Sequence, residues 1–193
     1  MISQPDYHQP AKTSRLYLDR IDTDTLKRPG LRCRDITPIF ADREAFDALL
    51  DDLLQNLDMT AEDAPSVVVG VDGLGLLLAS AVASRLKLGL VPLRKAGKLP
   101  VKTDFALLPE PRGGLELRQG ALAARQQVLL VDDWIRTGSQ IHAAISLIER
   151  QRARVSGILA LNIDERDNTR ELFTYRLHTV MRNGQPLEIQ PTR

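Results

Sequence analysis

The sequence has few cysteines, histidines and aromatic residues. Its 193 residues include one cysteine, three histidines and 4% aromatic residues. A single cysteine, Cys33, cannot form a disulfide within the chain, and no Cys/His cluster has the spacing of a zinc site. Few aromatic rings disfavour a platform that stacks the bases of single-stranded nucleic acid. We therefore expect a protein without disulfide or zinc staples, located in the reducing cytoplasm.

The signatures of nucleic-acid and membrane binding are also weak. The 26 basic and 25 acidic residues leave a net charge of +1, whereas nucleic-acid-binding domains are usually strongly basic. The most apolar run, residues 74–83, is about half of the roughly 20 residues that span a bilayer. With 43% hydrophobic and 26% charged residues, the chain is typical of a soluble globular domain. We expect neither nucleic acid nor membrane as a partner.

Short apolar runs alternate with helical patterns along the chain. Valine- and leucine-rich runs, which are typical of buried parallel strands, occupy residues 66–71, 127–131 and 155–163. Helical spacing of apolar residues predicts helices over residues 42–57, 76–86 and 141–151. This order predicts an α/β fold, with a Rossmann-like parallel sheet flanked by helices. Residues 100–114 contain three prolines and are predicted to form a long loop, followed by an exposed strand over 114–118.

Two of the predicted strands run into polar or glycine-rich turns. The strand 127–131 is followed by Asp132 and Asp133, and the strand 66–71 by the turn 72–75. Ligands of parallel sheets bind beyond the carboxyl ends of the strands, so we expect the two turns to lie side by side.

The residues after strand 127–131 suit a sugar phosphate. Adjacent carboxylates can accept hydrogen bonds from vicinal hydroxyls or hold Mg²⁺ through water. Thr137 and Ser139 offer hydroxyls, Gly138 allows close backbone approach, and the following helix N-terminus favours a phosphate. The alternative is that the two aspartates only end a strand and cap the next turn.

Other residues could bind a second anion. Gly73 and Gly75 would let backbone amides form a nest for pyrophosphate. Arg94, Lys95 and Lys98 place three positive charges at another predicted strand end. The alternatives are a simple strand-to-helix turn and a solvated basic loop.

Residues 128–140 resemble the phosphoribosyl-pyrophosphate (PRPP) motif of the type I phosphoribosyltransferases. Three further segments, residues 34–38, 70–76 and 91–100, are similar in the same order to segments of the adenine-specific members. The resemblance implies transfer of ribose 5-phosphate from PRPP to a purine-type base, adenine being the first candidate, with release of pyrophosphate. It also implies Mg²⁺ as cofactor, PRPP and a nucleobase as small-molecule substrates, and a homodimer.

The resemblance assigns roles to named residues. The ribose and Mg²⁺ residues, also counted as catalytic, are Asp132 and Asp133, and the loop acid near the base is Asp104 or Glu110. The 5′-phosphate residues are Arg136, Thr137, Gly138, Ser139 and Gln140. The pyrophosphate residues are Asp72, Gly73, Leu74, Gly75, Arg94, Lys95 and Lys98. The residues near the base are Cys33, Arg34, Trp134 and Ile135, with Trp134 either a stacking surface or a core residue.

The same resemblance suggests the domain organisation. We expect a mobile arm over residues 1–13 and one phosphoribosyltransferase-like domain over 14–193. Within it, the hood covers about 14–35, the core about 36–165 and the tail 166–193, and the loop 100–114 is placed as a lid.

The chain departs from the family pattern at three points that bear on function. The loop predicted as a lid lacks the tyrosine–glutamate pair that the family usually has there. Leu74 stands where the pyrophosphate loop usually has arginine, and Cys33 stands where an aromatic residue usually stacks on adenine. These departures keep three alternatives open. The protein could be a PRPP- or nucleotide-binding regulator without catalysis, a PRPP-using enzyme with a non-adenine acceptor, or a PRPP hydrolase.

Overall fold

The computed structural model describes residues 15–21, 34–109 and 113–187. The chain divides into two compact units, residues 1–52 and 53–193, which are described separately. Predictions about the arm 1–13, Cys33 and Glu110 lie outside the described residues. The hood and tail boundaries stay predictions.

The first unit is helical in its described part. It contains α1 (Leu16–Asp19), α2 (Thr37–Ala41) and most of α3 (Arg43–Leu54). The predicted start of α3 is confirmed, because the Asp42 carboxylate accepts hydrogen bonds from the amides of Glu44 and Ala45 at 3.1 Å each. Tyr17 is fully buried and donates its hydroxyl hydrogen to Asp52. Burial, followed by this hydrogen bond, raises the pKa of Tyr17.

The second unit is built on an eight-stranded sheet in the order β3-β4-β2-β1-β5-β6-β7-β8. Its strands are β1 (Val67–Val71), β2 (Gly89–Lys95), β3 (Thr103–Leu107), β4 (Gly114–Arg118), β5 (Gln127–Ile135), β6 (Arg154–Ile163), β7 (Leu177–Arg182) and β8 (Gln185–Pro186). Its helices are α4 (Leu74–Leu86), α5 (Ser139–Arg150) and α6 (Asp167–Arg170), followed by a 3₁₀ turn over Glu171–Thr174.

The centre of this sheet is parallel, as the apolar runs predict. β1 pairs in parallel with β2 and β5, β5 with β6, and β6 with β7. All five residues of β1 are buried, because strands inside a parallel sheet are covered on both faces. Among the described residues, no helix is long and apolar enough to cross a membrane.

The prediction of a long loop over residues 100–114 is wrong in part, because this segment contains the strand β3. β3 pairs antiparallel with β4, from Thr103 opposite Arg118 to Leu107 opposite Gly114. The prolines that indicated a loop flank β3 and do not interrupt it, so all the β3 residues keep the amide hydrogens that a strand needs. β3 and β4 therefore form an antiparallel pair at the edge of the sheet, which we call the hairpin.

The strand over 114–118 is present but is not exposed, which is a second correction. Four of the five β4 residues are buried, because β4 lies between β2 and β3 in the sheet. Its alternating pattern indicated one wet face, yet Glu116 is only 6% exposed. The Glu116 carboxylate accepts hydrogen bonds from the backbone amides of Lys98 and Leu99, and a sequence pattern does not reveal such contacts.

Candidate active site

The turn after β1 lies beside β5, as predicted. Gly70 pairs with Val131 in the parallel register, so residues 72–75 come alongside Asp132. A Cβ atom built on Gly75 would lie 2.5 Å from Asp132 Oδ1 and 2.9 Å from Asp132 Cα. Position 75 therefore requires glycine, and the two turns form one continuous edge. Within this edge, Gly73 has φ +112°, which side-chain-bearing residues rarely adopt.

The two aspartates belong to β5 itself, whereas the sequence pattern placed them after the strand. β5 continues to Ile135 because β6 stays paired with it up to Ile163. β1 has already ended at Val71, so the extension of β5 borders the turn and not another strand. The sequence pattern did not predict that β5 extends beyond residue 131, because charged residues end the apolar run there.

Asp132 is a buried carboxylate with an unused oxygen. It is 2% exposed, its Oδ1 accepts the Asp133 amide hydrogen at 2.9 Å, and its Oδ2 has no partner among the described residues. Burial first, and then the neighbouring Asp133 charge, raise the pKa of Asp132. Buried polar atoms almost always find partners, so this oxygen points to a ligand that completes the site.

The loop between β5 and α5 has the backbone geometry that favours an anion. Gly138 has φ +76° and forms the N-cap of α5, which begins at Ser139. The first amides of a helix have no acceptor within it, and they favour negative charge. The hydroxyls of Thr137 and Ser139 lie 3.2 Å apart at this end. The half-buried Arg136 and Gln140 are in the same segment, so the structure brings the predicted 5′-phosphate residues together.

The basic segment, residues 94–99, begins at the carboxyl end of β2, which lies next to β1. The Asp72 carboxylate accepts hydrogen bonds from Arg94 Nε at 3.2 Å and from the Lys95 amide at 3.0 Å. Burial opposes ionisation of Asp72, but these hydrogen bonds outweigh it and lower its pKa. Asp72 thus contacts the cationic segment, which differs from the direct pyrophosphate contact that the resemblance assigned to it. Lys95 and Lys98 are exposed, and Leu74 is the half-buried first residue of α4.

The predicted base residues have different surroundings. Trp134 is 8% exposed, and its buried Nε1 has no partner among the described residues. This burial favours a core position over an open stacking surface. Ile135 is 2% exposed. Arg34 lies in the first unit, just before α2.

Asp104 is not brought to the phosphate loop. Its carboxylate accepts hydrogen bonds from Gln151 Nε2 at 2.9 Å and from Gln119 Nε2 at 3.2 Å. Gln151 is the C-cap of α5, a helix of 12 residues. At about 1.5 Å per residue, this helix end is about 18 Å from the end at Ser139. A catalytic role for Asp104 has no support in this arrangement.

Comparisons with known proteins identify related sequences and structures. The family described as "Phosphoribosyl transferase domain" matches residues 39–181. The adenine phosphoribosyltransferase of Streptomyces coelicolor is 38% identical over 156 residues, covering 79% of this chain and 84% of that protein.

Two solved structures share the fold. The adenine phosphoribosyltransferase of Rhodothermus marinus has a TM-score of 0.71 and 31% identity, covering 81% of this chain and 89% of its own. That of Saccharomyces cerevisiae, in complex with adenine and an imino-altritol bisphosphate, has a TM-score of 0.69 and 29% identity, covering 78% of this chain and 87% of its own.

Proposed function

The chain belongs to the phosphoribosyl transferase domain family, and we propose that it transfers ribose 5-phosphate from PRPP to adenine with release of pyrophosphate. The observation that carries the proposal is the unpartnered Asp132 oxygen beside the Gly75 turn and the anion loop of α5. Adenine is supported by the name of the S. coelicolor relative and by the adenine in the S. cerevisiae complex.

Each part of PRPP has a matching group at this edge of the sheet. Asp132 and Asp133 would accept hydrogen bonds from the ribose hydroxyls. The free amides at the start of α5, with Thr137 and Ser139, would bind the 5′-phosphate. The turn at Gly73 and the cations Arg94, Lys95 and Lys98 would bind pyrophosphate.

The reaction breaks the bond between the anomeric carbon and a pyrophosphate oxygen, and it forms a bond from that carbon to a base nitrogen. That nitrogen loses its proton, which the departing pyrophosphate or the solvent accepts. Negative charge grows on pyrophosphate as it leaves, so pre-placed cations and amides lower the barrier. Water must be kept out, because it would otherwise replace the base as acceptor. The segment 100–114, which is predicted to be a lid, would exclude it. A contact of Glu110 with the base stays a prediction.

Mg²⁺ is the proposed cofactor, held by Asp132 and Asp133 through water. Among the described residues, no group of three or more His, Cys, Asp or Glu side chains could hold a metal ion. A carboxylate pair nevertheless fits Mg²⁺, which commonly binds one or two carboxylates together with substrate phosphates. The unpartnered Asp132 Oδ2 is consistent with this use. When bound, the ion supplies positive charge to the pyrophosphate group.

We also propose that the enzyme is a homodimer that works in the cytoplasm. The dimer is expected from the family resemblance. At the sheet edge, Phe105 is 42% and Leu107 77% exposed, which offers apolar surface for a subunit contact. Sedimentation velocity at micromolar concentration should give twice the mass of one chain, and a single-chain mass would contradict the dimer.

A product assay tests the proposed function. The protein is incubated with PRPP, Mg²⁺ and one base at a time (adenine, guanine, hypoxanthine or uracil), and nucleotide and pyrophosphate are measured. We expect AMP from adenine. We expect Asp133→Asn to lower kcat/KM by about 100-fold, because positioning of the ribose is lost. Asp63→Asn serves as the matched control, because Asp63 pairs with Arg176 on the surface.

The same assay separates the alternatives. A different nucleotide would identify a non-adenine acceptor, and pyrophosphate released without any base would identify a hydrolase. A protein that binds PRPP in a separate calorimetric titration but gives no product with any base would contradict the proposal and favour a regulator.

A further inference from the structure

Glu116 is a buried carboxylate that the proposed reaction does not use. It lies in the middle of β4 and is 6% exposed. Its Oε1 accepts hydrogen bonds from the backbone amides of Lys98 at 2.7 Å and Leu99 at 2.6 Å. Its Oε2 lies 3.5 Å from the Thr103 hydroxyl. Among the described residues, no lysine or arginine side chain forms an ion pair with it.

The donors around Glu116 form a backbone nest. Gly97 has φ +78°, and consecutive amides in such a turn converge on one anion. Removal from water opposes ionisation of Glu116, but hydrogen bonds from the Leu99, Lys98 and Gly97 amides outweigh it and lower its pKa. Glu116 is therefore an internal anion that fills this turn.

The turn that Glu116 fills belongs to the basic segment, residues 94–99. Amides that donate to Glu116 are not available to a ligand, so this part of the segment must bind through its side chains. Lys95 and Lys98 are exposed. A loop with several like charges repels itself, and an internal anion that holds its backbone offsets that tendency.

The first residues of the basic segment are also held by a carboxylate that accepts a backbone amide hydrogen. Asp72 accepts the Lys95 amide hydrogen and contacts Arg94 Nε. Two carboxylates from different elements, the β1 turn and β4, thus bond to the backbone of one cationic segment. Both sets of contacts lie within the protein and hold the backbone of the segment, and a segment held in this way loses little conformational freedom on binding a ligand.

We propose that Glu116 is a positioning residue for pyrophosphate, fixing the segment 94–99 so that Arg94, Lys95 and Lys98 face the leaving group, with Asp72 holding the other end. The inference rests on the proposed function for the identity of the ligand. Glu116 touches no reacting atom. Its effect reaches the substrate through the Lys98 and Leu99 amides.

Binding of two ligands tests this role. Magnesium pyrophosphate probes the basic segment, and AMP probes the 5′-phosphate loop and the ribose carboxylates. Both are titrated calorimetrically against wild type, Glu116→Ala, Glu116→Gln and the exposed control Glu62→Gln. Glu116→Ala should weaken pyrophosphate binding by about tenfold and leave AMP binding within about twofold. Glu116→Gln keeps an oxygen acceptor for the amides and should recover most of the affinity.

The possible outcomes are distinct. Equal weakening of both ligands by Glu116→Ala, or pyrophosphate affinity unchanged in a folded Glu116→Ala protein, would overturn the inference. If Glu116→Ala does not fold, Asp72→Asn is tested instead. Selective loss of pyrophosphate affinity in Asp72→Asn supports the inference, and no selective loss overturns it. A wild-type protein that does not bind pyrophosphate also overturns it. A wild-type protein that binds pyrophosphate selectively through Glu116 but makes no nucleotide leaves the inference intact and overturns the proposed function.

Discussion

At the residue scale, the geometry of the site depends on the lack of a side chain at Gly75. Gly75 leaves the space that the Asp132 carboxylate occupies, because an added Cβ would lie 2.5 Å from Oδ1 and 3.1 Å from the Asp133 amide nitrogen. Two of the three nearest atoms are backbone, so a larger residue cannot be accommodated by turning one side chain. The position of the Asp132 carboxylate therefore requires glycine in the turn at position 75.

We predict that Gly75→Ala lowers both stability and PRPP affinity. Overpacking of this kind costs about 1–3 kcal/mol, and the β5 backbone at Asp132 must move. Gly89→Ala is the control, because its added Cβ would approach only Val67 Cγ2, at 4.0 Å. Thermal unfolding and calorimetric PRPP titration measure the two effects. A Gly75→Ala protein as stable as the Gly89→Ala protein, with wild-type affinity, would contradict the packing argument.

We predict that the stability difference between wild type and Glu116→Gln depends on pH. The pKa of Glu116 lies below its usual 4.5 in the folded protein, so the ionised carboxylate contributes stability that is fully present above about pH 4.5. That contribution is lost as the pH falls through the lowered pKa. The melting temperature of wild type should therefore exceed that of Glu116→Gln most above pH 5, and the difference should shrink towards pH 3. A difference that grows on acidification would show that the sign is wrong.

At the element scale, the sequence predicts buried elements better than edge elements. The valine and leucine runs of β1 and β5 predict parallel strands because both faces of such strands are apolar. β3 has no such run, and neighbouring prolines suggested a loop. The hairpin is set by contacts distant in sequence: Arg150 Nη1 donates to the Phe105 carbonyl at 2.6 Å, and Gln151 binds Asp104. Single-sequence patterns do not contain such pairings.

We predict that Gln151→Ala loosens the hairpin. The Gln151 amide group donates to the Arg118 carbonyl at 2.8 Å and accepts from the Leu122 amide at 3.0 Å, in addition to its bond to Asp104. Its removal leaves a backbone amide unpaired, which costs about 1–3 kcal/mol. Hydrogen exchange should accelerate in β3 and β4 while β1 stays protected. The exposed Gln55→Ala control should not alter exchange, and a uniform acceleration across the sheet would contradict a local role.

At the scale of the whole molecule, the order of the motifs along the chain predicts the site, because the sheet topology brings them together. The turn 72–75, the end of β2 at Lys95 and the loop 136–138 are 20 to 66 residues apart in sequence, yet their strands are neighbours in the sheet. The same patterns did not single out Glu116 as functional, since one acidic residue in an apolar strand resembles a solvent-facing position. The resemblance also placed Asp104 near the base. In the structure, hydrogen bonds from Gln119 and Gln151 hold its carboxylate away from the phosphate loop.

The most direct test of the central claim is a calorimetric titration of PRPP with Mg²⁺ into wild-type protein and into Asp132→Asn/Asp133→Asn. The claim is that this carboxylate pair, with the anion loops beside it, holds PRPP. Wild type should bind in the micromolar range typical of enzyme substrates, and the double variant should lose at least about 100-fold in affinity while remaining folded. Equal binding by both proteins, or no binding by wild type, would contradict the account.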